Sequence, residues 1–261
     1  MKNNKRRDDA KETPQLILTG RNAILEALNH EKPIDKILLR RGNVEGTLRV
    51  IAAKARERGI VLQEVDKIKL DELSESASHQ GVVGVCPAKG YVEIEEILNY
   101  AESKSEDPFV ILLDGIMDPR NLGAILRSAE AAGVHGVILP KRRAVGLTSV
   151  VAKTSSGAIE HILISRVTNL SDTVTQLKKR GLWIACADMN GNDLYTADLS
   201  GPIALIIGSE GTGVGRLLAQ NSDFTVKIPM HGHIDSLNAS VAAGILMYEI
   251  VRIRRFKSSA P

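Results

Sequence analysis

The sequence predicts an α/β protein in two parts: a small alternating unit, then a larger domain built on a mostly parallel sheet with helices on both faces. The first observation behind this is length. At roughly 150 residues per domain, 261 residues suit two domains. The second is a set of continuous apolar runs at Phe109–Leu113, Gly136–Leu139, Ile203–Ile207 and Phe224–Ile228, as expected of strands buried on both faces. The third is what separates those runs: helical spacing at Asn121–Ala132 and Ser171–Arg180, a strand at Leu182–Ala187, and a long terminal helix over Leu237–Phe256. Such β-α alternation builds a parallel sheet.

Taken in order, residues 1–14 are polar and charged, end at Pro14, and are expected to be a disordered tail. Residues 15–87 form the small unit. Gly20-Arg21-Asn22 leads into a helix over Ala23–Asn29, and Lys36–Leu39 is a short apolar run suited to a strand. Leu48–Arg58 has helical spacing, Ile60–Val65 reads as a strand, Ile68–Ser76 as a short helix, and Val82–Cys86 as a final strand. Residues 88–107 read as a linker carrying one amphipathic helix. Gly90, the acidic run Glu93–Glu96 and the polar stretch Ser103–Asp107 mark it. The second domain spans 108–261.

Composition excludes several classes. At 43% hydrophobic and 25% charged residues the chain has material for a core, so extensive disorder is excluded. No window approaches the roughly 18 consecutive apolar residues of a membrane span, and the charged N-terminus is not a signal peptide. Cys86 and Cys186 are too few for a disulfide framework or a four-cysteine zinc site, and the expected setting is cytoplasmic. The net charge is only +3, but cations cluster at Lys2, Lys5, Arg6 and Arg7, at Arg40 and Arg41, at Lys141, Arg142 and Arg143, and at Arg252, Arg254, Arg255 and Lys257. Such clusters suit phosphate backbones. Aromatic residues make up 3%, which argues against reading bases by stacking.

Three segments, each following an expected strand, carry candidate chemistry, since ligands of open α/β sheets bind at that edge. The first is Asp114–Ser128. There Pro119 suits a helix start, Asn121 an N-cap, and Arg127 lies about two turns further on. Taken alone, it also fits an ordinary capped helix with one exposed arginine. The second is Gly208-Ser209-Glu210-Gly211-Thr212-Gly213-Val214-Gly215, whose glycines let a backbone approach a ligand closely. It fails the P-loop pattern because Val214 follows Gly213. It fails the dinucleotide fingerprint because Arg216 stands where the third glycine belongs. The third runs from Val226 to Gly244. Ser236 and Asn238 are cap candidates there. His231 and His233 lack a third ligand for a metal, so no metal is expected, and Ser236 lacks a nucleophile elbow.

Together these segments resemble the three motifs of the SpoU/TrmH branch of the SPOUT RNA methyltransferases. Asp118-Pro-Arg-Asn121-Leu-Gly-Ala-Ile-Leu-Arg127 resembles the first, Ile207-Gly-Ser-Glu210-Gly the second, and Ile228-Pro-Met230 with Ser236-Leu-Asn238-Ala-Ser240-Val-Ala the third. Residues 15–87 resemble the L30e-like substrate-binding domain of the family, through Thr19-Gly-Arg-Asn22-Ala23 and His79-Gln-Gly-Val-Val83. With Lys141–Thr148 added, the likeness is nearest to RlmB-type 23S rRNA (guanosine-2′-O-)-methyltransferases.

The resemblance implies a SPOUT domain with a trefoil knot, S-adenosylmethionine as cofactor, a homodimer, and an RNA substrate, with 23S rRNA favoured. It places catalytic function on Asn121, Arg127, Glu210, Ser236 and Asn238. It places the cofactor against Gly208, Ser209, Glu210, Gly211, Ile228, Pro229, Met230, Ser236, Leu237, Asn238 and Ser240. RNA contact is expected at Arg21, Arg40, Arg41 and Arg127. A tRNA ribose methyltransferase and a non-catalytic RNA-binding assembly factor are the competing expectations. A nucleotide-binding oxidoreductase is disfavoured by the failed fingerprint.

Overall fold

The computed structural model describes residues 16–42, 45–74 and 78–256; the expected tail at 1–14 lies outside them. The small unit is a four-stranded sheet of β1 (Leu16–Thr19), β2 (Lys36–Arg40), β3 (Val61–Val65) and β4 (Val82–Cys86) in the order β1-β4-β2-β3. Strand β4 runs antiparallel to β1 and β2, while β2 and β3 are parallel. Helices α1 (Arg21–Asn29) and α2 (Thr47–Glu57) bury Ile24, Leu28, Leu48 and Ile51 on one face, and Leu70 of α3 (Lys67–Ser74) packs with Leu38, Val83 and Val85 on the other. Strand β1 has no counterpart among the expected elements. Four residues are too few to show a period, and it exists by pairing with β4.

The large sheet has the order β10-β8-β9-β5-β6-β7, with every neighbouring pair parallel. Its strands are β5 (Phe109–Leu113), β6 (Gly136–Pro140), β7 (Leu163–Val167), β8 (Trp183–Asp193), β9 (Ile203–Ile207) and β10 (Phe224–Lys227). Helices α5 (Pro119–Ala131) and α9 (Ala239–Phe256) cover one face, while α4 (Ile94–Ser103) and α7 (Leu170–Lys179) cover the other. The continuous apolar runs behave as expected: β5 and β9 are buried at every residue and lie side by side at the centre. Removing such side chains from water is the main stabilising contribution.

Four elements of the large domain depart from expectation. Strand β7 was obscured by Ser165 and Arg166, which interrupt its apolar character. Helices α6 (Ser149–Thr154) and α8 (Arg216–Gln220) are too short to display helical spacing. Strand β8 extends to Asp193, past the expected Ala187. Its register with β10 shifts between Thr225 and Val226, where a Cβ on Gly191 would stand 2.7 Å from the Val226 nitrogen.

The two sheets are joined by polar contacts. Ala88 N donates to Leu147 O at 2.7 Å, and Val92 N to Ile164 O at 2.9 Å. Lys89 Nζ donates to the carbonyls of Ile159, Glu160 and Ile162 at 2.8, 2.9 and 3.1 Å. Asp35, just before β2, is 6% exposed and pairs with Arg166 of β7. Burial raises its carboxyl above the ordinary 3.8, with Arg166 opposing. Gly146 makes room for it: a Cβ there would lie 2.2 Å from Asp35 Oδ2.

Candidate active site

The site is built where β5, β9 and β10 end. Helix α5 begins at Pro119, whose fixed φ and missing N–H suit a first helical position. The residue before it therefore caps the helix: Asp118 Oδ1 accepts from Arg120 N at 2.8 Å. This corrects the expectation for Asn121, which stands in the first turn with its side chain free to reach elsewhere. Its Nδ2 donates to Glu210 Oε1 at 2.9 Å, and its Oδ1 accepts from Asn238 Nδ2 at 3.0 Å. Asn238 Nδ2 also donates to Glu210 Oε1 at 2.5 Å, and Ala239 N donates there at 3.3 Å.

Asn238 has a second task. Its Oδ1 accepts from Ser240 N at 2.9 Å, Ser240 Oγ at 2.6 Å and Val241 N at 3.4 Å. It is the N-cap of α9, so the terminal helix starts at Ala239 and not at Leu237, and Ser236 does not take the capping role. The Glu210 carboxylate thus sits at the positive end of an eighteen-residue helix, where negative charge is favoured.

The glycine segment folds back on itself. Ser209 N donates to Gly213 O at 3.2 Å, Gly213 N to Ser209 O at 3.0 Å, and the hydroxyls of Ser209 and Thr212 lie 2.6 Å apart. Gly208 must be glycine, since a Cβ would stand 2.1 Å from the Gly213 carbonyl carbon. Gly211, at φ 87°, has open space where a Cβ would be. Asp114 Oδ2 accepts from Gly215 N at 2.8 Å and ties the glycine loop to the end of β5.

Residues 228–237 make no hydrogen bond to another described residue. Ile228, Pro229 and Leu237 are half-buried, while Met230, His231–Asp235 and Ser236 are exposed. No group of three or more His, Cys, Asp or Glu among the described residues is placed to hold a metal ion. Both cysteines are buried, and burial pushes the Cys186 thiol up to about 11.

Sequence-predicted residues therefore separate into groups. Asn121, Glu210, Asn238 and Ser240 are brought together, and Gly208, Ser209 and Gly211 form the adjoining loop. Arg127 is not joined to them. It is exposed, and Nη1 donates to Ser156 Oγ at 3.3 Å. Six residues of helix turn it about 240° from Asn121. Arg21, Arg40 and Arg41 gather at the end of the small sheet away from Asp35. Arg21 Nε donates to Gln80 O at 3.1 Å, and Arg41 pairs loosely with Asp66 at 3.6 Å. Sequence reasoning assigned nothing to Asp114, Thr212 or Ser156. Asp114 alone gave a signal, as a carboxylate directly after a fully apolar strand.

Comparison with known proteins shows the family. The profile of the SpoU rRNA Methylase family matches residues 108–248, and that for RNA 2′-O ribose methyltransferase substrate binding matches residues 17–92. The Bacillus subtilis (strain 168) protein named "Putative TrmH family tRNA/rRNA methyltransferase YacO" is 46% identical over 236 residues, covering 90% of this chain and 94% of that one. A Staphylococcus aureus (strain MSSA476) protein of the same family name is 46% identical over 241 residues, covering 91% and 96%. Among solved structures, the SpoU methyltransferase AviRb from Streptomyces viridochromogenes, in complex with the cofactor AdoMet, is similar with TM-score 0.58 and 25% identity, covering 92% of this chain and 90% of that one. The AdoMet-bound rRNA methyltransferase from Sinorhizobium meliloti has TM-score 0.56 and 27% identity, with 92% and 88% covered.

Proposed function

The chain belongs to the SpoU rRNA methylase family, and as an RNA methyltransferase of that family, we propose, it methylates a ribose 2′-hydroxyl with S-adenosylmethionine, its target a guanosine of 23S rRNA. The observation that carries this reading is the closed Asn121–Glu210–Asn238 network, which draws all three candidate segments to one place.

The residues present fit the cofactor. Backbone polar groups normally find partners, and those of half-buried Ile228 and Leu237 have none among the described residues. Together with Gly208 they suit the adenine side of the cofactor; Ser209, Glu210, Gly211, Pro229, Met230, Ser236 and Ser240 are the further residues that would hold it. When bound, S-adenosylmethionine supplies a methyl already activated by its positive sulfur.

The protein's own part is alignment and charge. Well-oriented reactants can gain on the order of 7 kcal/mol from positioning alone. Glu210 fixes both asparagine amides in one orientation, and Asn121 and Asn238 then position the ribose. Arg127 stays protonated and cannot serve as a base. It holds the target's phosphate and stabilises the oxyanion that develops at O2′, while the proton leaves to phosphate or water. Its separation from Glu210 fits a role directed at substrate. Ser236 contacts substrate from the exposed loop.

Residues 15–87 supply RNA affinity, residues 88–107 link, and residues 108–261 carry the chemistry in the cytoplasm, with the family's trefoil knot bringing residues 228–238 back to Glu210. The homodimer is supported by the outer face of α9. Val241 and Tyr248 are 50% and 52% exposed and seven residues apart, on the same face with Ile245 between them. Tyr248→Asp is expected to turn a dimer into a monomer in sedimentation equilibrium.

The direct test is transfer of labelled methyl from S-adenosylmethionine to unmodified 23S rRNA and unmodified tRNA, with Asn121→Ala alongside. Label in rRNA ribose, lost in the variant, is expected. Label only in tRNA keeps the chemistry and overturns the substrate. No label in either, with cofactor bound, favours the non-catalytic RNA-binding factor.

A further inference from the structure

The loop after β6 carries Lys141, Arg142 and Arg143, and the fold gives it a position that the sequence did not. Strand β6 lies beside β5 and parallel to it, so this loop leaves the sheet at the same edge as the segment leading to Asn121. The two are bonded directly, Val145 N to Ile116 O at 2.9 Å. The loop is also braced from the small domain's side. Arg166 Nη2 donates to Lys141 O at 3.2 Å, Gly146 packs on Asp35, and Lys141 Nζ lies 3.2 Å from where a Cβ on Gly59 would stand.

On this braced backbone Arg142 and Arg143 are exposed, and neither has an ion pair among the described residues. Arg143 is held at φ 56°, a left-handed conformation that is costly for a residue with a side chain and persists only where the surroundings enforce it. Two unpaired guanidiniums are thus presented, on a fixed loop, beside the catalytic network. Of the arginines to which RNA contact was assigned from sequence, Arg127 lies on α5, while Arg21, Arg40 and Arg41 lie elsewhere. Arg40 ends β2 and Arg41 follows it, about 13 Å along the strand from Lys36 and the joint.

We propose that Arg142 and Arg143 form a clamp for the ribose-phosphate backbone next to the target nucleotide, a contact distinct both from Arg127 and from the Arg21, Arg40 and Arg41 rim. This rests on the methyl-transfer reading above. The chemistry recognised is polyanionic: guanidinium forks pair with phosphate oxygens and carry no base preference.

The test is binding of a 23S rRNA fragment at a series of KCl concentrations by wild type, R142Q/R143Q and R40Q/R41Q, with S-adenosylmethionine affinity as control. Losing two phosphate contacts to single-stranded RNA should make the slope of log K against log salt shallower by about 1.4. The expected result for R142Q/R143Q is that change with a weaker Kd, unaltered cofactor binding and an unaltered melting temperature. Wild-type slope and Kd in R142Q/R143Q, with a shallower slope in R40Q/R41Q, would overturn the clamp and leave the methyl-transfer reading standing. A wild-type chain that binds cofactor but no RNA overturns both.

Discussion

The two edges of the large sheet are made by the same strands and finished in opposite ways. At the N-terminal edge, Arg254 from the last turns of α9 donates to the carbonyls of Asp107, Pro108 and Gly201 at 2.9, 3.0 and 2.6 Å, and lies 5.0 Å from the Phe109 ring centre. Its Nε is buried without a partner, a cost accepted to hold three carbonyls at once. Beside it, buried His135 accepts from Phe109 N through Nδ1 at 2.9 Å. The ring proton is therefore on Nε2, which donates to Glu106 at 3.0 Å. The C-terminal edge is open: Glu210 is exposed, and residues 228–237 are unbonded to other described residues. One edge closes the structure and the other keeps polar groups available, so stability and activity should respond to different residues.

The largest test of that separation is Arg254→Ala. It strands three carbonyls, each bonded to a charged donor; with water reaching some of them in the variant and the buried Nε removed, roughly 3 kcal/mol of unfolding free energy should be lost in urea titration. Methyl transfer per folded molecule should be unchanged. Next is Glu210→Ala, which releases both asparagine amides. Turnover should fall about 100-fold through misplacement alone, while stability changes by no more than about 1 kcal/mol. A loss of stability as large as that of Arg254→Ala would erase the distinction between the edges.

The smallest effect is a pH dependence at the closed edge. Burial holds His135 below its ordinary 6.5, with the Glu106 hydrogen bond opposing. The unfolded chain takes up a proton near pH 6.5 while the folded one does not. The contribution of this group is therefore complete above 6.5 and declines as pH falls towards the lowered value. Melting temperature should drop across that window in the wild type, and His135→Gln should flatten the drop.

How much was legible follows from the kind of signal each feature leaves. Strands β5 and β9 were plain because burial on both faces removes every polar residue from the run. Strand β7 was hidden because Arg166 points to a partner 131 residues away, which no local period reports. Family resemblance named the residues that meet, Asn121, Glu210 and Asn238, but not the bonds between them. Asn121 looked like a cap because its type is right; Pro119 was the better clue, since it fixes the cap on Asp118. The structure gives Glu210 Asn121 and Asn238 as partners, a pairing that no local spacing reports. The position of Arg127 could have been read from helical geometry, because six residues do not return to the same face.

The joint at Asp35 has a consequence for what this molecule can measure. A tether of glycine and serine would let the small domain wander and accept any substrate within reach. Here a buried ion pair, a glycine that leaves it room and a lysine seated on three carbonyls hold the two halves at one separation. The small domain then works as a gauge block rather than a leash. On the proposed division of labour, an RNA should be accepted when the interval between its two points of attachment equals a length built into the protein, and rejected when its fold sets that interval wrong.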